Sequence, residues 1–287
     1  MHIELLPWKT TLGLALALAS FGCADDTTPG SDEVAETETT SDTSGGSESA
    51  GESGDSSTSD TTESTDTGTE TETTGQSTIT VSGEVTDFFS MSGIPNAEVS
   101  VIDMPGFEAT SDVNGLYSIP GMPADTEVFF QIDGNVDTYW GGIRPALLPA
   151  TDIDDLQLGQ VPNSLIDLQL MLLQEQDPTV TADYQKGIII VRLLQPTATG
   201  AVVTMDPPPP MNTSYSVSAE NMPVLNGNSI DSSLLPFWVA FDIFDDPGGA
   251  YQITVDHPER ECTVVHPIFP TKGHYVTLVD VDCPPPP

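Results

Sequence analysis

The sequence predicts a mainly β protein: two β-sandwiches joined by a short helix and preceded by a disordered, acidic, Ser/Thr-rich stalk. Three observations carry this. Composition changes abruptly near Ser77, short segments of alternating polarity fill the chain from there on, and turn residues punctuate them at regular intervals. Ile79, Val81, Gly83 and Val85 alternate with Thr78, Thr80, Ser82 and Glu84, so that one strand face is apolar and the other wet. Ala97, Val99 and Val101 repeat the pattern, as do Val128, Phe130 and Ile132. Asn114-Gly115, a pair that tolerates positive φ, turns the chain into Leu116–Ile119 and reads as a hairpin.

The expected organisation is a signal segment over 1–23, an acidic linker over 24–76, a first sandwich over 77–159, a helical connector over 160–180 and a second sandwich over 181–287. In the connector, Ser164 and Asp167 form a capping-box-like start, Leu165, Leu168 and Leu172 share a helix face, and Asp177-Pro178 ends it. The alternation of Leu168, Leu170 and Leu172 also fits a strand. Beyond it, Lys186–Arg192 and Gly200–Thr204 open a second β run, and Gly200-Ala-Val-Val203 echoes Asn96-Ala-Glu-Val99 as a divergent copy. Phe237, Val239, Phe241 and Ile243, then Asp245–Gly249, then Tyr251, Ile253 and Val255 read as a second antiparallel hairpin. The prolines at Pro284 to Pro287 cannot continue a ladder.

The first residues have the layout of a secretory signal: Lys9, an apolar run from Leu12 to Ala19, then Ser20-Phe-Gly-Cys23. The run is too short for a stable span, which needs roughly 20 apolar residues. Gly22-Cys23 followed by Ala24-Asp-Asp26 resembles the lipobox of bacterial lipoproteins, departing from it at Ser20, where Leu is usual. The resemblance implies a diacylated Cys23, a membrane anchor at the bacterial cell envelope or surface, and export; ordinary signal cleavage near Gly22 is the rival. With Cys23 committed to lipid, Cys262 and Cys283 remain as an even pair for a disulfide, worth on the order of 3 kcal/mol by loop closure. Residues 24–76 hold Val34 as their one large apolar side chain and cannot offset the entropy of ordering. As a coil that stretch spans roughly 40 Å, more with carboxylate repulsion, and serves as a tether.

The formal charge is −38, and no Lys or Arg lies between Lys9 and Arg144. Nucleic acid, which needs a basic footprint, is therefore excluded as a partner. An unidentified surface protein or glycan remains, bound at sheet-surface aromatics: Phe129, Tyr139, Trp140 and Trp238 are the candidates, with Phe129 and Trp238 on the strand phase opposite the apolar set. No catalytic residue, cofactor or metal is assigned. His257, His266 and His274 are the sharpest catalytic alternative, a metal-dependent hydrolase or oxygenase, but His257-Pro-Glu-Arg260 misses the ligand spacing of zinc peptidases. Asp152, Asp154 and Asp155, or Asp242, Asp245 and Asp246, offer oxygens to calcium without the spacing of an EF-hand.

Taken together, Val81-Ser-Gly-Glu-Val85, Gly93-Ile-Pro-Asn-Ala-Glu-Val99 and Asp112-Val-Asn-Gly-Leu-Tyr-Ser-Ile119 resemble the carboxypeptidase regulatory-like domain. The resemblance covers residues 78 to 133. It implies a transthyretin-like sandwich that is appended and non-catalytic; an Ig-like or collagen-adhesin B-like sandwich is the alternative. That sandwich also hosts intradiol dioxygenases, whose two-Tyr, two-His iron set Tyr251, Tyr275, His257 and His266 match in type but not in spacing.

Overall fold

The first alternating segment forms strand β1 (Thr78–Asp87), with Ile79, Val81 and Val85 buried and the residues between them partly wet. The computed structural model describes residues 77–286, so the leader, Cys23 and the acidic stretch of 24–76 lie outside it. Six strands follow: β2 (Glu98–Val101), β3 (Glu108–Thr110), β4 (Leu116–Pro123), β5 (Glu127–Asp133), β6 (Gly141–Leu147) and β7 (Ile153–Gln160). Helix α1 (Asn163–Gln176) comes next. The chain continues through β8 (Gly187–Leu193), β9 (Ala201–Asp206), β10 (Ser214–Val217), β11 (Pro223–Leu225) and β12 (Ser229–Ile230). It ends with β13 (Phe237–Ile243), β14 (Gln252–Asp256), β15 (Thr263–Val264) and β16 (Tyr275–Asp282). The expected mainly β, sandwich-type class is what the structure shows.

The two sandwiches share a sheet. One ten-stranded sheet runs β11-β10-β13-β8-β16-β6-β5-β2-β3, with β15 attached to β16. A three-stranded sheet, β4-β1-β7, closes the first sandwich over Val99, Phe130 and Ile132, and another, β12-β9-β14, closes the second over Ile189, Val191, Val279 and Val281. At the junction β16 pairs in parallel with both β8 and β6. Paired residues share a face, so Ile132, Gly142 and Val276 lie on one side of the large sheet and Gln131, Ile143 and Thr277 on the other. Val276 belongs to the core under α1, with Leu173, Ile188, Val239 and Phe241. The first small sheet and α1 therefore cover one face of the large sheet, and the second small sheet covers the opposite face.

This layering explains Ile188-Ile-Ile-Val191. Helix on one side and sheet on the other bury every residue of that run, so β8 needs no polar alternation. It also explains β13, where Trp238 and Ala240 face the second small sheet while Val239 and Phe241 face α1.

Two expected hairpins are corrected. β13 and β14 belong to different sheets, and so do β3 and β4. Each turn carries the chain from one layer of a sandwich to the other, because strands on either side of the turn bury their apolar sides against each other across the core. Gly115 (φ 86), Gly248 (φ 138) and Gly249 (φ 100) take the left-handed conformations that these arches need.

The helical reading of 164–176 holds and the strand reading does not, but the details differ. Pro162, not Ser164, stands at the N-cap, and no side chain caps the helix. The face laid on the sheet is Leu165, Ile166, Leu170 and Leu173, whereas Leu168 and Met171 are exposed. The helix is thus a third layer of the second sandwich rather than a bare connector. Its last residue also covers a sheet edge: Gln176 Nε2 donates to Pro223 O (2.7 Å), and Leu225 N–H donates to Gln176 Oε1 (3.0 Å). One side-chain amide so occupies the outer groups of β11 that would otherwise template another strand.

Cys262 and Cys283 are disulfide-bonded. The Arg260 guanidinium donates to Cys283 O (3.2 Å) and Thr197 O (3.0 Å), fastening the same corner. At the junction, Asp280 of β16 accepts Arg144 Nη1 of β6 at 3.1 Å, and Arg192 Nη2 and Nε of β8 at 2.7 and 2.9 Å. Burial lowers the proton affinity of Arg144, and Asp280 opposes that shift. Two of the chain's six cationic side chains are spent on this one carboxylate.

Because both sandwiches use β16, calorimetry should record one cooperative unfolding transition for both. Two resolved transitions would show that the halves of the sheet melt independently. Asp280→Ala leaves two guanidiniums without their shared partner and should cost on the order of 3–5 kcal/mol in denaturant unfolding. A loss under about 1 kcal/mol would mean that water already solvates both.

Candidate functional site

The aromatic candidates do not form an exposed surface. Trp140 is 1 % and Trp238 3 % exposed, a correction to both as binding residues. The Trp238 indole N–H donates to Gly227 O (3.0 Å) in the second core, where sheet covers one side of β13 and helix the other. Trp140 stacks on His274 with centroids 4.7 Å apart and lies 5.7 Å from Tyr184; its Nε1 has no acceptor among the described residues. Phe129 does leave the first core, as its strand phase indicates, yet it packs against the second one. Tyr139 is partly buried against the first core, and burial raises its hydroxyl pKa.

The histidines are kept apart by separate partners. His257 Nε2 meets Thr199 O (3.1 Å) and its Nδ1 accepts Glu259 N–H (3.0 Å). His266, 8 % exposed, meets Glu127 Oε1 at 2.6 Å, joining the second sandwich to β5 of the first. His274, at φ 64, holds Tyr184 O (3.2 Å). Among the described residues no three His, Cys, Asp or Glu side chains converge as a metal-holding group. The aspartates have other partners: Asp152 Oδ1 accepts Thr80 N–H (2.7 Å), Asp242 Oδ1 accepts Asp183 N–H (2.7 Å), and Asp155 Oδ1, on β7 beside Asp154, accepts Gln157 Nε2 (2.8 Å).

What the fold does assemble is an open cleft of about 250 Å3 where the sandwiches meet. Ile102, Gln131 and Ile143 supply the wall from the first sandwich. Asp245, Asp246 and Pro247 from the arch after β13, and Pro270, Thr271 and Lys272 from the loop before β16, supply the other. These two loops are stitched together: Asp246 and Thr271 exchange both backbone hydrogen bonds (2.9 and 2.8 Å), Asp245 Oδ1 accepts Gly273 N–H (2.5 Å), and Thr271 Oγ1 donates to Phe244 O (2.7 Å).

Lys272 is the cation of this cleft. Its ammonium donates to Gln131 Oε1 (3.2 Å) and to Tyr275 OH (3.1 Å), 4.2 Å from the tyrosine ring centroid. Tyr275 O–H in turn donates to Asp133, and Gln131 Nε2 donates to Asp133 Oδ2 (2.7 Å). Burial, then the Asp133 hydrogen bond, raises the Tyr275 hydroxyl pKa, so the phenol stays a donor. Glycine makes the approach feasible: a Cβ on Gly141 would sit 2.4 Å from the Tyr275 ring, and one on Gly273 2.2 Å from Gln185 O. The arrangement offers an ammonium, two carboxylates and apolar walls to solvent, which suits reversible binding of a small polar molecule.

Sequence reasoning did not single out Lys272, Gln131 or Tyr275 as a group. Lys272 and Gln131 are 141 residues apart. The available signal was the rarity of Lys in the chain, together with a glycine beside it.

No protein-family model and no curated protein matches the chain. Among solved structures, the Bacillus anthracis TIE protein is similar at 10 % identity, covering 72 % of this chain and 34 % of its own, with a TM-score of 0.26. This chain thus corresponds to about a third of that protein's length. The shaft pilin SpaA from Lactobacillus rhamnosus GG is similar at 8 % identity over 73 % of this chain and 99 % of its own, with a TM-score of 0.23. Likeness at these scores identifies neither a family nor a function.

Proposed function

We propose that the chain is an exported, lipid-anchored surface protein that displays a rigid, non-catalytic double sandwich, held away from the membrane by the acidic stretch of 24–76, for binding a partner at the cell surface. The observation that carries this reading is the single sheet shared by both sandwiches. A module built to catalyse by closing on a substrate needs mobile halves; here β16 is laced between β8 and β6 and holds both walls of the cleft in one ladder. The Cys262–Cys283 disulfide fits an oxidising compartment outside the cytoplasm. Covered edges such as β11 suit a protein displayed at high local density, where open edges would associate.

The resemblance of Val81–Val85, Gly93–Val99 and Asp112–Ile119 to a carboxypeptidase regulatory-like module fits the same role, since such modules are appended and non-catalytic. In the present chain those segments supply β1, the entry into β2, and the arch after β3 with the start of β4.

Intact mass of the protein extracted with detergent from its native membrane tests the anchor, and protease treatment of whole cells tests display. The expected outcome is a chain beginning at Cys23 with a diacylglycerol-sized increment, released as a folded fragment by cleavage within 24–76. An unlipidated chain, or one protected from external protease, would refute anchored display.

A further inference from the structure

We infer that the cleft between the sandwiches binds a small zwitterion of the α-amino-acid class with an apolar side chain, its carboxylate held at Lys272 and its ammonium at Asp245 and Asp246. This names the ligand of the candidate site and rests on the reading of that cleft as the module's binding surface.

Two features of the cleft argue for a ligand carrying both charges. Lys272 is exposed and, among the described residues, joins no ion pair; its ammonium is held only by the neutral acceptors Gln131 Oε1 and Tyr275 OH. Asp245 and Asp246 line the same space, and their carboxylates accept from backbone N–H groups: Gly273 for Asp245, Gly248 and Ala250 for Asp246. Among the described residues neither carboxylate forms an ion pair. Opposite charges that line one small cleft and are not spent on each other complement a molecule that brings one of each.

The charge of the whole chain narrows the choice further. At −38, the protein repels a free anion at long range, and a lone ammonium on the wall would not overcome that field. A simple cation would be drawn in but would meet Lys272. A zwitterion has no net charge, so it approaches without penalty and then satisfies both signs at contact.

Size and lining set the rest. At about 250 Å3 the cleft is smaller than the pockets of drug-sized ligands, which span roughly 300–1,000 Å3, and it matches a single amino acid. Ile102, Ile143, Pro247 and Pro270 give the non-polar part of its lining, suited to an aliphatic side chain. The walls do not need to be assembled by the ligand. Gln131 and Ile143 belong to β5 and β6, the Lys272 loop leads straight into β16, and β6 and β16 are paired. Because the cleft is open and its charges are solvated, affinity is modest, on the order of 1 mM.

The test is calorimetric or NMR titration of the full chain with L-leucine, beside 4-methylpentanoate, which keeps only the carboxylate, and 3-methylbutylamine, which keeps only the ammonium. L-Leucine should saturate, and each singly charged analogue should bind about tenfold more weakly or worse. Lys272→Met and Asp245→Asn should each weaken L-leucine about tenfold, whereas Lys186→Met, outside the cleft, should leave it unchanged. The asparagine retains an oxygen for Gly273 N–H, and an unchanged melting curve in each variant separates lost binding from lost folding. Absence of saturation up to roughly 10 mM, equal binding of either analogue, or indifference to both cleft substitutions would overturn the inference. None of these results bears on anchoring or display, which mass and protease accessibility decide separately.

Discussion

The position of β16 between β8 and β6 governs the rest of this molecule. The strand is the last in the sequence, yet it lies in the middle of the large sheet and is parallel to both neighbours. Without it the ten-stranded sheet falls into two parts, each with a raw edge, and the second core loses Val279 and Val281. Asp280 fixes its register. A slip of one residue would carry that carboxylate to the opposite face of the sheet, away from Arg144 and Arg192, and would move Val279 and Val281 out of their core. In a chain with few cations, placing two of them on one carboxylate at the seam ties the electrostatics of the protein to its central strand.

The cleft is a consequence of the same seam. Tyr275 opens β16 and rests where Gly141 has no side chain, which brings its hydroxyl to Asp133 of β5 and its ring under the Lys272 ammonium. The arch after β13 then meets the loop before β16 through the paired Asp246 and Thr271. Chemistry contributed from β5, β6, one arch and one loop converges because the sheet leaves those four segments no other arrangement. A site of this kind is set by the ladder and not by local loop sequence, which is also why its residues are scattered through the chain.

Much of the fold was legible from period-two alternation, since burial on one face of a strand leaves that mark directly in the residues. The buried sets of β1, β2 and β5 follow from it, whereas the unbroken apolar run of β8 records a strand covered on both faces. The same signal misled at Asp112–Gly115 and Asp245–Gly249. Alternation tells which side of a strand is apolar, but a strand's successor can satisfy that side by pairing edge to edge or by crossing to the facing layer, and both leave the same pattern. The burial of Trp238 has a related cause. Trp238 departs from the phase of its strand's apolar set because β13 is covered on both faces, and only the position of α1 reveals that.

By itself, the sequence determined the β class, the acidic charge balance, the pairing of Cys262 with Cys283 and the existence of a helix near 164–176, because each depends on composition or on contacts along a short stretch. Tertiary structure decided that the sandwiches share a sheet, that two turns are arches, that the histidines stand apart, and that Lys272 faces a cleft with Asp245 and Asp246. Those outcomes rest on pairings between strands more than a hundred residues apart, such as β6 with β16, whose free energy is gained only when distant apolar faces are buried together, and no local pattern encodes which distant faces those will be.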